Sequence, residues 1–139
     1  MLVNQLSVFI ENKPGRVHQL TEVLRNADID LLTLSIADTK DYGILRCVTS
    51  DNDKAIRALK EAGFTVSLTK LIGVEVPDRP GGLSDVLDIF DDSGISIEYL
   101  YSFAKTSDKQ AVILFRVEDV DGALKILEKK DIKLIDSLQ

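Results

Sequence analysis

One cysteine and one histidine stand among the 139 residues, and this scarcity removes several classes of function. Cys47 has no partner within the chain, so an internal disulfide is excluded and a cytoplasmic location is the default expectation. A single thiol and a single imidazole leave little for nucleophilic catalysis. No spacing of Cys and His suits a metal, no Gly-rich loop of the P-loop type is present, and no Ser-His-Asp set can be assembled. The chain is therefore not expected to be an enzyme, and no cofactor or metal is expected. Apolar runs stay well short of the ~20 residues that cross a bilayer. The opening segment M-L-V-N-Q-L-S-V-F-I-E lacks a basic leader followed by a long apolar stretch, so neither a membrane association nor a secretory signal is expected. Basic side chains are also sparse: 17 Lys and Arg stand against 23 Asp and Glu, a net charge of −6, and Lys129-Lys130 is the one adjacent basic pair. Phosphate backbones repel such a surface, so nucleic acid is not an expected partner. The acidic balance reads as solubility.

Proline is scarce too, with three in the chain, and two of them sit in Pro-Gly pairs. Pro14-Gly15 lies in N-K-P-G-R-V and Pro80-Gly81 in D-R-P-G-G-L, 66 residues apart. That offset keeps apolar positions in register. Leu6, Val8 and Ile10 fall on Ile72, Val74 and Val76, while Val17, Leu20 and Leu24 fall on Leu83, Val86 and Phe90. Ile29, Leu31 and Leu34 fall on Ile95, Ile97 and Leu100. Two extra residues in the Lys105–Lys109 stretch shift the offset to 68, after which Ala55 and Leu59 match Ala123 and Leu127. The chain is an internal repeat over nearly its whole length.

Each copy alternates apolar and polar residues before Pro-Gly, as a half-buried strand does, and then spaces them helically. Asp28 or Gly94 closes the helix, and a second strand follows from about Ile29 or Ile95. Its apolar spacing of 0, 2, 5 breaks strict alternation and predicts a bulge. A third strand at Gly43–Val48 or Ala111–Val117 leads to a second helix, capped by Ser50 or Asp51 in one copy and by Asp119 in the other. Short strands at Thr65–Leu68 and Lys133–Ile135 end the copies. The order β-α-β-β-α-β, twice, predicts an α+β fold: two tandem ferredoxin-like units, each a four-stranded antiparallel sheet with two helices on one face. The expected domains are residues 1–69 and 70–139, with the boundary at about Thr69–Leu71. Units of about 65–70 residues lie near the lower limit for a self-sufficient core, so each is expected to lean on the other or on a second chain.

The segments E-N-K-P-G-R-V-H-Q-L…A-D-I-D-L and P-D-R-P-G-G-L-S-D-V…S-G-I-S-I resemble the ACT domain family. The resemblance covers nearly all of both copies. It implies a non-catalytic regulatory protein of amino-acid metabolism that binds a free amino acid. It also implies side-by-side pairing of the domains, as in a homodimer, with the effector at the seam. One wall is the loop after the first strand, here Asn12, Gly15, Arg16 and Val17 in copy one and Asp78, Gly81, Gly82 and Leu83 in copy two. The other wall is the start of a partner's second strand, here Asp30-Leu31 and Ser96-Ile97. Asp30 and Ser96 replace the Asn most familiar in the family at that entry, and Asp78 replaces the loop Asn. A second implication is a subunit that regulates a metabolic enzyme in trans, as the small regulatory subunit of acetolactate synthase does, although that family has a different second domain.

The residues fit such a ligand on physical grounds. A helix start offers unpaired N–H groups and partial positive charge to a carboxylate. Glycine clears space for a close approach, and Asn12, Asp78, Asp30 and Ser96 can accept from an ammonium. The plainer reading is a tight turn in which glycine serves its backbone angles. His18 reads as a solvated helix residue and Cys47 as an inert packing residue. Asp91-Asp92 reads as a solvated helix end. Tyr99, Tyr101 and Phe103 alternate on a strand and read as cover for the open sheet face.

Overall fold

The structure is a computed structural model that describes residues 2–38, 41–104 and 109–138, apart from the side chains of Asp38 and Ala104. The elements run β1 (Val3–Glu11), α1 (Arg16–Asn26), β2 (Leu31–Asp38), β3 (Tyr42–Thr49), α2 (Asn52–Glu61), β4 (Thr65–Pro77), α3 (Gly82–Asp92), β5 (Ile97–Ala104), β6 (Gln110–Val117), α4 (Val120–Lys129) and β7 (Leu134–Ile135). This is β-α-β-β-α-β written twice. The last strand of copy one and the first of copy two are one element, because no proline and no loop-like cluster interrupts Thr65–Val76. Residues 4–69 form one compact unit, and residues 70–138 with 2–3 form the other. The extra residues of copy two fall partly on 105–108, outside the described residues.

In the N-terminal unit the strand order is β2-β3-β1-β4. Leu6, Val8 and Ile10 of β1 face Cys47, Leu45 and Gly43 of β3 across an antiparallel ladder. Their alternation puts them on one face, where Leu20 and Leu24 of α1 and Ala55 and Leu59 of α2 close over them. All four helix residues are buried, which is where the helical spacing directs them. In the C-terminal unit the order is β5-β6-β4-β7. Ile72, Val74 and Val76 meet Val86 and Phe90 of α3 and Ala123 and Leu127 of α4. The rings of Phe90 and Phe115 sit edge to face, centroids 5.2 Å apart.

The irregular apolar spacing has the expected cause. The ladder between β2 and β3 slips between Leu31 and Thr33, and that between β5 and β6 slips between Ile97 and Tyr99. One extra residue resets the parity, so Leu31 and Leu34 share the helix-covered face despite their odd spacing. At the slip, the Val48 N–H donates to the Thr33 hydroxyl at 2.9 Å. Asp28 and Gly94 end their helices at φ 57° and 67°. Asp51 and Asp119 cap α2 and α4, accepting from the N–H groups of Lys54 and Gly122.

Candidate functional site

The Pro-Gly turns are built alike. In each, an N–H folds back two residues, Lys13 to the Glu11 carbonyl at 2.8 Å and Arg79 to the Pro77 carbonyl at 2.9 Å. Gly15 and Gly81 then take φ of 86° and 89° as the cap residues of α1 and α3. This is the left-handed region, so both glycines answer a backbone demand. A Cβ at either would meet nothing within 4 Å, so the space beside the turn is open as well. Gly82 differs: it is buried, and a Cβ there would run into the Pro77 carbonyl oxygen. It lets α3 start hard against the end of β4.

A contrast separates the four helices. Asp side chains close α2 and α4, whereas α1 and α3 begin on glycine with no side-chain cap bond. The Arg16 and Gly82 N–H groups donate back to the Lys13 and Arg79 carbonyls at 3.3 and 3.1 Å, while the next two N–H groups of each helix, those of Val17 and His18 and of Leu83 and Ser84, have no side-chain cap. Asn12 is exposed, and its N–H donates to the Asp41 carbonyl at 3.2 Å. The Asp78 N–H donates to the Lys109 carbonyl at 2.8 Å. Beside Asn12, the Lys13 ammonium lies 2.9 Å from Glu11, and this bond and charge hold the Glu11 carboxyl below its ordinary range. Arg16 opens α1. Its guanidinium sits 4.3 Å from the centre of the Phe64 ring and donates to Gln19 Oε1 at 2.7 Å. Val17 and Leu83 pack against their cores.

The second wall lies at the other end of each unit. Asp30 and Leu31 border a groove of about 480 Å³ between the last turns of α1 and the start of β2. Thr21, Leu24 and Arg25 of α1 complete its lining with Asp28, Ile29 and Ser50. Ser50 and Asp30 are tied twice: the Asp30 N–H donates to Ser50 Oγ, and the Ser50 N–H to the Asp30 carbonyl, both at 2.9 Å. The groove therefore offers Arg25 as a cation, Asp28 and Asp30 as acceptors for a cation, and hydroxyls between them. Copy two splits the same region. Leu87, Asp88, Phe90, Asp91, Ile95 and Ile97 line a groove of about 380 Å³. Ser96 borders a neighbouring hollow of about 300 Å³ with Glu118 and Asp119. Asp91 stands where copy one has Arg25, so the groove of copy two lacks that cation and is the more acidic of the two.

Each unit thus brings together Asn12, Gly15 and Val17, or Asp78, Gly81 and Leu83, and separately Asp30 with Leu31, or Ser96 with Ile97. It does not join loop and groove, which lie at opposite ends of an 11-residue helix about 16 Å long. The apolar pattern does not single out Thr21, Arg25, Asp28 or Ser50, because polar residues near a helix end look like solvated surface. Steps of four back from Ile29 reach Arg25 and Thr21, but no spacing in the sequence points to Asp28 or Ser50.

Comparison with known proteins gives the family. The family model for the ACT domain pair matches residues 1–138. The chain belongs to that family. No curated protein matches it. Among solved structures, this ACT domain pair is similar to protein BT0572 from Bacteroides thetaiotaomicron, at 41% identity, 97% coverage of this chain, 92% of that one, and a TM-score of 0.91. It shares its fold with the ligand-free regulatory subunit of aspartate kinase from Thermus thermophilus, at 17% identity, 92% and 93% coverage, and a TM-score of 0.62. The corresponding subunit from Thermus flavus gives 16% identity, 93% coverage of both chains and a TM-score of 0.59. Among the described residues, no His, Cys, Asp and Glu cluster suits a metal, and no helix is long and apolar enough to cross a membrane.

Proposed function

We propose that this ACT domain pair is a non-catalytic sensor that binds a free amino acid and regulates an enzyme of amino-acid metabolism. Residues 1–69 and 70–139 act as its two ACT-like domains. The observation that carries the reading is the complementarity of two half-sites. The uncapped starts of α1 and α3 suit a carboxylate, and the groove acceptors Asp30 and Ser96 suit an ammonium. Val17, Leu31, Leu83 and Ile97 border the same two walls and suit the ligand's side chain. Within one unit the two walls stand about a helix length apart, farther than a zwitterion reaches.

Thermal unfolding in the presence of each of the twenty amino acids tests this. A ligand of the native state raises the melting temperature in proportion to ln(1 + [L]/Kd). One amino acid, or a small related group, is expected to give a rising, concentration-dependent shift. Twenty flat responses would end the proposal.

Regulation in trans is favoured by one observation. The aspartate kinase regulatory subunits share this fold over about the whole of a separate chain. On this reading the domain pair acts on a partner enzyme. The candidate target class is a biosynthetic kinase or a synthase such as acetolactate synthase. Co-purification of the tagged chain with and without the amino acid found above distinguishes this from a sensor that acts alone.

A further inference from the structure

The open face of the N-terminal sheet carries a feature that copy two lacks. Residues of β1 and β3 that alternate with the core lie on this face: Phe9 pairs with Ile44, Ser7 with Arg46 and Glu11 with Tyr42. The rings of Phe9 and Tyr42 stack across the strands, centroids 4.3 Å and planes 24° apart, yet the two residues are 45% and 38% exposed. Beside Phe9 lies a hollow of about 120 Å³, completed by Ile44 and by the hydroxyl-bearing Ser7, Thr65 and Ser67. Half-buried Arg46 follows Ile44 along β3, with Ser7 and Ser35 opposite it on the two neighbouring strands. In copy two the positions matching Ser7, Phe9, Tyr42, Ile44 and Arg46 hold Gly73, Glu75, Gln110, Val112 and Leu114, in the same ladder register. The fold itself therefore requires neither the rings nor the cation.

We propose that this face of the N-terminal unit binds a mononucleotide, with the base in the hollow against Phe9 and the phosphate at Arg46. The site uses no residue of the amino-acid site proposed above, so it stands or falls independently. An exposed aromatic ring on a sheet stacks a base by its π-face. The three hydroxyls donate and accept, as the mixed edge of a base and a ribose require, whereas an all-hydrocarbon ring would cover them without pairing them. A guanidinium suits a phosphate. Ile44 and Arg46 stand two residues apart on a strand, about 7 Å, which is the order of the reach from a base across its ribose to the phosphate. Glu11 lies on the same face, but its carboxylate is paired with Lys13 at 2.9 Å. A longer strand is disfavoured: its further phosphates would meet a chain of net charge −6 without a second Arg46.

Isothermal titration of the full chain with AMP, GMP, adenosine, inorganic phosphate and a short oligoadenylate tests this. Phe9→Ser and Arg46→Gln are the site variants, Leu100→Ser on β5 is the control, and circular dichroism reads the fold. AMP and GMP are expected to bind, with adenosine and phosphate at least tenfold weaker and the oligoadenylate no tighter than AMP. Phe9→Ser is expected to weaken AMP about tenfold, the size of one lost stacking contact. Arg46→Gln should bring AMP down to the affinity of adenosine and leave adenosine unchanged, and Leu100→Ser should bind as the parent does. Amide chemical shifts of the wild type locate the ligand without any variant: AMP should move residues of β1 and β3 and leave β5 and β6 in place. Absence of mononucleotide binding overturns the proposal, as do adenosine binding as tight as AMP, undiminished affinity in folded Phe9→Ser, or shifts confined to β5 and β6. An oligoadenylate that binds more tightly than AMP overturns the free nucleotide as the ligand.

Discussion

The guanidinium of Arg16 lies 4.3 Å from the centre of the Phe64 ring, so a residue at the mouth of the Pro-Gly turn is pinned to the end of the second helix. Gln19 holds its other side. The position matches Gly82 in copy two, where the Pro77 carbonyl leaves no room for a side chain. Arg16 therefore acts here as a brace for the start of α1. Arg16→Met keeps the aliphatic stem and removes the charge. It is expected to lower stability by about 0.5–1 kcal/mol, the size of a cation–π contact at an accessible site. Urea unfolding measures it; a variant as stable as the parent would show that the ring contact contributes nothing.

The left-handed glycines give a second expectation. Gly15→Ala places an L side chain at φ 86° and is expected to cost about 1–2 kcal/mol, although its Cβ has open space. Gly15→Asn should recover part of that loss, because Asn tolerates this region. The Asp caps behave in the opposite way: Asp51→Ala and Asp119→Ala each remove a bond to a first-turn N–H and are expected to cost about 1 kcal/mol. Equal stability of the Ala and Asn variants at Gly15 would refute the backbone argument.

Cys47 is fully buried between the sheet and helices, and burial pushes its thiol up to about 12. In the unfolded chain the thiol ionises near 9. Below that pH both states are protonated and the shift contributes in full. Between 9 and 12 the unfolded state loses its proton while the native state keeps it, so stability falls as pH rises. The limiting slope is about 1.4 kcal/mol per pH unit. Cys47→Ala is expected to have a flatter alkaline limb than the parent in denaturant titrations at several pH values. Alkylation of native Cys47 at pH 8 should proceed only as fast as the chain opens; rapid labelling of the folded protein would contradict the burial.

The repeat made most of the fold legible in the sequence. Two copies, each reading Leu6-Val8-Ile10 or Ile72-Val74-Val76 before Pro-Gly, constrain one another far more than either does alone. The odd step from Leu31 to Leu34 even marked the bulge. What stayed hidden depends on contacts between distant positions. The carbonyl of Pro77 explains Gly82, and the ring of Phe64 claims Arg16, but neither neighbour is adjacent in sequence to the residue it governs. The exposure of Leu34 and Ile36, 49% and 46%, was hidden for a similar reason. An apolar residue on the covered face of an edge strand has the same sequence pattern as a core residue, and only the reach of the helices decides between them. Likewise Thr21, Arg25 and Ser50 become a groove only when α1 and the end of β3 converge on Asp30.

Asp30 is the residue on which the proposed site turns most directly. Its backbone is fixed by both bonds to Ser50, so its carboxylate projects from an anchored position beside the groove. Asp30→Asn leaves the size and the backbone bonds unchanged and removes only the charge that would accept from an α-ammonium. A hydrogen bond to a charged group contributes about 1.5–3 kcal/mol, so the expected loss of affinity is about 10- to 100-fold. Ser96→Ala, at the matching position of copy two, removes a neutral acceptor and is expected to cost less. Isothermal titration of both variants with the amino acid that stabilises the native chain gives the comparison. Raising the ionic strength should weaken the parent more than Asp30→Asn, because only the parent retains a charge–charge contact. If Asp30→Asn binds as tightly as the parent at every salt concentration, the ammonium does not lie at Asp30 and the groove is not the ligand's second wall.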